Sequence, residues 1–138
     1  MTIEDYPQVL ALMQGEPGVS VRTADSLPAI ARYLERNPGM SFVAELDGRL
    51  IGCVFGSHDG RRGTLRHLVV KPECRTRGIG RALVNQALDS LHRAGIDKSL
   101  IDVFADNSNA IAFWERMGWE VRKELVRLSF NRSEDPNA

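Results

Sequence analysis

The chain has 138 residues, 43% of them hydrophobic and 26% charged, which predicts a single domain with one core. Its 18 Lys and Arg balance 18 Asp and Glu, so no global field draws it to nucleic acid or to an anionic membrane surface. No apolar run approaches the roughly 20 residues that cross a bilayer, and Met1-Thr-Ile-Glu-Asp5 lacks the basic and apolar regions of a signal peptide, which predicts a cytoplasmic protein without a membrane partner.

Helical spacing opens the chain. Tyr6, Val9, Leu10 and Met13 share one face of a helix predicted over Asp5 to Gln14, with Asp5 as its cap and Pro7 tolerated in the first turn. After a break at Gly15, Pro17 and Gly18, the same period returns over Asp25 to Asn37 through Leu27, Ile30, Ala31 and Leu34, and Asn37-Pro38-Gly39 stops it. The period then changes to strands. Ser41 to Leu46, an Asp47-Gly48 turn, Arg49 to Gly56, a turn at Gly60 to Gly63, and Thr64 to Val70 predict an antiparallel meander. A helix over Ile79 to Ala94 carries Leu83, Ala87, Leu91 and Ala94 on its core face and ends at Gly95. Lys98 to Ala105 reads as a buried strand, Asn107 to Met117 as a short helix closed by Gly118, and Glu120 to Phe130 as one or two closing strands. No linker divides residues 1–132, and Ser133 to Ala138 is a polar tail.

The most informative stretch is Arg75-Thr76-Arg77-Gly78-Ile79-Gly80-Arg81, placed between a predicted strand and a predicted helix. The first turn of a helix leaves amides without intrahelical partners at the positive end of the dipole, where a phosphate can dock. Gly78 and Gly80 let a ligand approach the backbone, and Arg75, Arg77 and Arg81 bring charges that chelate phosphate oxygens. Two better-known phosphate motifs fail. The dinucleotide fingerprint needs glycine or alanine where Leu83 stands, and the P-loop needs a Gly-Lys-Ser/Thr triplet that does not follow. Charge is also unevenly placed: Arg61, Arg62, Arg66, Lys71, Arg75, Arg77 and Arg81 face only Glu73 within their stretch, whereas the residues from Met1 to Asp59 are predominantly acidic. A local anion site beside an acidic flank suits a phosphate-bearing ligand and a cationic substrate.

Cys53 and Cys74 match neither a disulfide framework nor metal-ligand spacing, and His58, His67 and His92 form no ligand pattern, so no metal is expected. Cys74 has arginines nearby and a helix start following, conditions that lower a thiol pKa, but no His and acid partners for it are evident.

Leu68-Val69-Val70-Lys-Pro72-Glu-Cys-Arg75-Thr76-Arg77-Gly78-Ile79-Gly80-Arg81-Ala-Leu resembles the acetyl-coenzyme A signature of the GNAT family of N-acetyltransferases. After one further strand, Asn107-Ser-Asn-Ala110-Ile-Ala-Phe113-Trp114-Glu-Arg-Met-Gly118-Trp119 resembles that family's Asn-x-x-Ala…Tyr…Gly-Phe segment. With Phe42 to Gly52 the likeness runs from about Asp5 to Phe130, and the bacterial YpeA-like branch is the nearest.

The resemblance implies an α+β fold layered α/β/α. Its mixed, mostly antiparallel sheet would splay between two central strands, with helices on both faces and a first strand short or absent. It implies that the main chain of Leu68, Val69 and Val70 pairs with the pantetheine arm of acetyl-coenzyme A, that Arg75 to Arg81, with Thr76 and Ile79 among them, hold the diphosphate, and that Asn107 and Trp114 lie along the arm. An unpaired strand edge exposes N–H and C=O groups that an amide-bearing arm can satisfy. The implied reaction is direct acyl transfer from the thioester to a primary amine in a ternary complex, with the Val70 N–H polarising the carbonyl, a role worth roughly 2.7–4 kcal/mol in oxyanion holes.

Two departures qualify this. Trp114 occupies the usual position of a tyrosine acid, and an indole N–H does not give up its proton near neutral pH, so a core-filling role competes with any chemical one. Ser108 or a water could replace it as the acid, and no catalytic residue is selected. Arg66 stays protonated, His67 is either packed or a base, and His58 and Asp59 are either bases or solvated turn residues. Asn107 serves equally as arm contact and helix cap. Only Met1 to Glu4 precede the first helix, which leaves a sheet edge open and predicts a homodimer. The alternative function is a non-catalytic acyl-coenzyme A sensor or interaction module, and the amine acceptor has no diagnostic pattern.

Overall fold

In the computed structural model, which describes residues 1–138, a short 3-10 turn at Ile3–Asp5 leads into α1 (Tyr6–Gln14), and α2 (Leu27–Arg36) follows a second such turn. Three antiparallel strands come next: β1 (Phe42–Leu46), β2 (Arg49–His58) and β3 (Gly63–Val70). Then come α3 (Ile79–Arg93), a short β4 (Ser99–Ile101) that pairs parallel to β3, and α4 (Ser108–Arg116). The sheet order is β1-β2-β3-β4, mixed and mostly antiparallel as expected. The chain divides into two compact units, 1–102 and 103–138, and α4 belongs to the second.

Alternation along β2 shows how the sheet is covered. Cys53 and Phe55 point to a core built with Val9, Leu12 and Met13 of α1, Ile30 of α2, Leu50 and Val69. Gly52 points the opposite way, and a Cβ there would stand 3.1 Å from Leu83 of α3. Helices therefore pack on both faces: α1 and α2 on one, α3 on the other through buried Leu83, Val84, Ala87 and Leu91. The tightest approach is at Gly56, where a Cβ would lie 2.2 Å from the Met40 carbonyl oxygen, so no larger residue fits without moving backbone.

Two bulges interrupt the meander. One falls between Ala44 and Glu45 of β1, opposite β2. The other falls on β3: Cys53 pairs with Val69 and Phe55 with Arg66, so His67 and Leu68 together oppose Val54. A sequence period of two cannot announce such an insertion, because each bulge shifts the alternation by one residue without changing residue type.

Three expectations are corrected in shape. The strand anticipated over Lys98 to Ala105 is confined to Ser99–Ile101, and its Leu100 is exposed rather than buried. The helix expected from Asp25 begins only at Leu27, since Thr23–Asp25 forms a separate 3-10 turn. No strand forms over 120–130, where Arg122 pairs with Glu124 and the Leu125 amide bonds back to the Arg122 carbonyl, closing a turn. The apolar alternation of Val126, Leu128 and Phe130 suits a half-covered strand, but a strand needs a hydrogen-bonded neighbour, and these side chains stand exposed.

Candidate functional site

α3 begins at a cap that only glycine adopts without strain: Gly78 has φ +78°, and no atom lies within 4 Å of where its Cβ would be. The first main-chain bond of the helix runs from the Ala82 amide to the Gly78 carbonyl at 3.0 Å, and no side chain caps the end. The amides of Ile79, Gly80 and Arg81 are therefore left without intrahelical partners. Thr76, two residues earlier, also has positive φ, +65°, so the backbone turns sharply just before the helix start. Arg75, Thr76, Arg77, Gly78 and Arg81 are exposed, and Ile79 and Gly80 are half-buried. An open concavity with free amides, two glycines and arginines fits a diphosphate.

Arg75 is already engaged. Its Nε donates to the Val70 carbonyl at 3.0 Å, and its guanidinium pairs with the Glu16 carboxylate from the loop after α1. A cleft of about 300 Å³ opens beside this pair, lined by Gln8, Glu16, Leu50, Val70, Glu73 and Arg75 among others.

β3 has a free edge. Its parallel ladder with β4 covers only Gly63 to Leu65, so the stretch beyond Leu65 is splayed away from β4. The Lys71 amide donates to the Ile51 carbonyl at 2.8 Å, toward β2. Alternation then turns the polar main-chain groups of Val69 toward β2 and those of Val70 toward the free edge. The Arg75 bond to the Val70 oxygen agrees with that direction.

At the bulge, His67 has φ +50°, unusual for a residue with a Cβ. Its carbonyl accepts from the Cys53 thiol at 3.5 Å, and its ring stands edge-on to Phe55 at 5.6 Å. His67 Nε2 lies 2.9 Å from Asp25 Oδ1, and Asp25 Oδ2 accepts the Arg22 amide at 2.8 Å. The Tyr6 hydroxyl donates to the Asp25 carbonyl at 2.9 Å. Burial alone would push the Asp25 carboxyl up, but the His67 and Arg22 hydrogen bonds and the charges of His67 and Arg66 outweigh it and hold the carboxyl below its usual range. Burial pushes the Cys53 thiol up to about 12. Sequence reasoning singled out His67 but not Asp25, for 42 residues separate them and no local spacing links a loop aspartate to a strand histidine.

The remaining candidates have other occupations. His58 Nδ1 accepts the Gly60 amide at 3.0 Å, and Asp59 Oδ1 accepts the Arg61 and Arg62 amides, both at 2.8 Å, which makes them turn residues. Cys74 is buried. In the second unit Asn107 Oδ1 accepts the Ala110 amide at 3.1 Å, so it caps α4. Trp114 is buried, with Phe113 at 5.3 Å and Trp119 at 4.8 Å in edge-to-face contact, which fits its core-filling reading.

The profile of the acetyltransferase (GNAT) family matches residues 7–119. An acetyltransferase of Sodalis glossinidius, SG1711, is 33% identical over 106 residues, covering 77% of this chain and 75% of the relative. Among solved structures, the PaiA N-acetyltransferase of Thermoplasma acidophilum in complex with coenzyme A superposes with a TM-score of 0.75 at 20% identity, over 88% of this chain and 87% of that one. Rv2747 of Mycobacterium tuberculosis, in complex with CoA and NLQ, gives 0.68 at 22% identity, over 87% and 69%.

Proposed function

From the premise that the chain belongs to the GNAT acetyltransferase family, we propose that it moves an acetyl or short acyl group from acetyl-coenzyme A to a primary amine by direct attack in a ternary complex. The observation that carries this reading is the free edge of β3 followed, after a 3-10 turn at Pro72–Cys74, by the glycine-capped head of α3. An arm carrying amides can add to such an edge while its diphosphate meets the unpaired amides and arginines beyond.

Gly78, Ile79, Gly80 and Arg81, with Arg75, Thr76 and Arg77, would hold the diphosphate, and Leu68, Val69 and Val70 would flank the arm, Val70 offering its N–H and C=O. Coenzyme A brings the activated thioester, and the protein's share is to position it and polarise its carbonyl. The proposal treats residues 1–132 as one functional domain, and Asn107 and Trp114 are assigned to the cofactor on the family resemblance alone. The family match supports that extent because it runs through both compact units. The cleft beside Val70 and Arg75 is lined by Glu16 and Glu73 and by Lys71 and Arg75, so its charges balance and it singles out no class of amine. The uncovered outer edge of β1 supports a homodimer, and the predicted compartment is the cytoplasm.

Calorimetric titration with coenzyme A, followed by incubation with acetyl-coenzyme A and an amine panel, tests the proposal through free thiol release and product mass. Binding with turnover is expected. Binding without turnover on any amine favours the second reading, a non-catalytic acyl-coenzyme A module, for which the specific observation is that buried Trp114 offers no exchangeable acid where the family places a hydroxyl.

A further inference from the structure

We infer that His67 is the general base of the acyl transfer, held in register by Asp25; this rests on the acyltransferase reading above. Position is the first argument. The ladder to β4 stops at Leu65, and the next residues on the free edge are Arg66 and then the bulge of His67 and Leu68. A ligand whose diphosphate sits beyond Val70, at the head of α3, lays its arm back along Val70 toward Leu68. Its reactive end therefore arrives at the bulge, and the side chain waiting there is His67.

The second argument is chemical. An ionised Asp25 carboxylate only accepts hydrogen bonds, so its 2.9 Å contact requires a proton on His67 Nε2. That tautomer leaves the lone pair on Nδ1. Asp25 is itself fixed, 7% exposed and bonded to the Arg22 amide, whereas the His67 side chain keeps 21% exposure. The ring is thus braced through Nε2 while part of its surface stays exposed. Phe55 meets it edge-on, and Tyr33 stands edge-on behind Phe55 at 5.7 Å.

No neighbour competes for the role near neutral pH. Arg66, on the same strand, stays protonated and pairs with Asp102 at 3.6 Å. Cys53 of β2 is a buried neutral thiol, and Tyr6 of α1 donates its hydroxyl to the Asp25 main chain. Tyr33 of α2 has a buried hydroxyl with no bonding partner, Ser57 lying near but outside bonding geometry. A left-handed backbone at a histidine within a strand is strained, and a bulge that re-aims one side chain is where such strain gathers at working sites.

The step balances as follows. Nδ1 takes a proton from the acceptor ammonium, giving a neutral amine and an imidazolium. The amine lone pair forms the N–C bond at the thioester carbon, the C–S bond breaks, and its electron pair leaves on the coenzyme A sulfur. That thiolate takes a proton from the amide nitrogen, and the imidazolium returns its own to solvent.

The test compares wild type, His67→Gln and Asp25→Asn, with acetyl-coenzyme A and the amine that wild type turns over fastest in a panel of lysine, spermidine and an alanine-initiated peptide. Calorimetry with coenzyme A runs in parallel. Expected for His67→Gln are unchanged coenzyme A affinity, a loss of about 10²–10⁴ in kcat/KM, disappearance of the ascending limb of the pH profile, and partial rescue by added imidazole. Asp25→Asn no longer fixes which ring nitrogen carries the proton, so kcat is expected to fall while KM and coenzyme A affinity stay unchanged. A His67→Gln enzyme within about threefold of wild type with its pH limb intact overturns the base assignment alone, as does loss of coenzyme A binding in that variant, which makes His67 structural. Wild type that turns over none of the amines overturns enzyme and base together.

Discussion

Arg75 carries two conflicting assignments. The cradle needs its charge on a diphosphate, yet it is folded back onto Glu16 and the Val70 oxygen, the same oxygen that an incoming arm amide would use. Glu16 therefore opposes binding twice, by holding Arg75 and by repelling phosphate. Glu16→Gln is expected to tighten coenzyme A about 3–10-fold at low salt and less at high salt, since the pair is partly exposed and screened, as calorimetry at two ionic strengths would read. Arg75→Ala weakens binding under the same conditions. A second residue-scale expectation concerns acid. Asp25 is held below 3.8 in the folded chain, so its stabilising share is complete above that unfolded value and is lost as pH falls through the lower, folded one. Melting temperature should drop below about pH 4, and Asp25→Asn should flatten that drop while lowering the plateau. A plateau unchanged by the substitution would show that the His67 and Arg22 bonds contribute nothing to stability. At this scale the sequence disclosed what is local. The glycine-capped start of α3 at Gly78 and the Asn107 cap of α4 were legible because a cap and its helix are neighbours along the chain. The Asp25 to His67 bond joins residues far apart in sequence, so neither residue announces the other.

Elements depend on how closely their backbones meet. β2 carries Gly56 against the Met40 carbonyl, where a methyl group would stand 2.2 Å from a backbone oxygen that no rotamer change can move. Gly56→Ala is expected to cost about 1–3 kcal/mol or more, visible as a lower urea midpoint at unchanged slope. Gly63, whose added Cβ would meet the mobile Ser99 hydroxyl at 2.5 Å, should tolerate alanine better, because a side chain can yield. If the two substitutions cost the same, backbone contact is not what selects glycine in this sheet. The meander and α3 were legible because turn pairs such as Asp47-Gly48 and helical spacing are local signals. The length of β4 was not. Lys98 to Ala105 is β-like in composition, but strand length is decided by where the partner edge ends, and β3 parts from β4 at Leu65. The same dependence on a partner explains why the alternation over 120–130 formed no strand.

A splayed edge is a deficit for the whole fold as well as a place to bind. The main-chain groups of Val70 on that side rely on a side chain, and the first amides of α3 have no partner in the helix, so the free protein leaves polar groups for a ligand to satisfy. Coenzyme A should therefore stabilise globally while protecting locally. At a hundredfold excess over its dissociation constant the linkage is worth about 2.7 kcal/mol, which a thermal melt detects. Hydrogen exchange should resolve where that stabilisation enters. Protection beyond the global increase is expected at Val70, Ile79, Gly80 and Arg81, whereas Val69, turned toward β2, should gain only the global share. Because the net charge is zero, the salt dependence of this stabilisation must come from the arginines around the cradle and not from the molecule's overall field. Equal protection of Val69 and Val70 would mean that the arm does not add to this edge, and uniform protection across the sheet would place the ligand elsewhere.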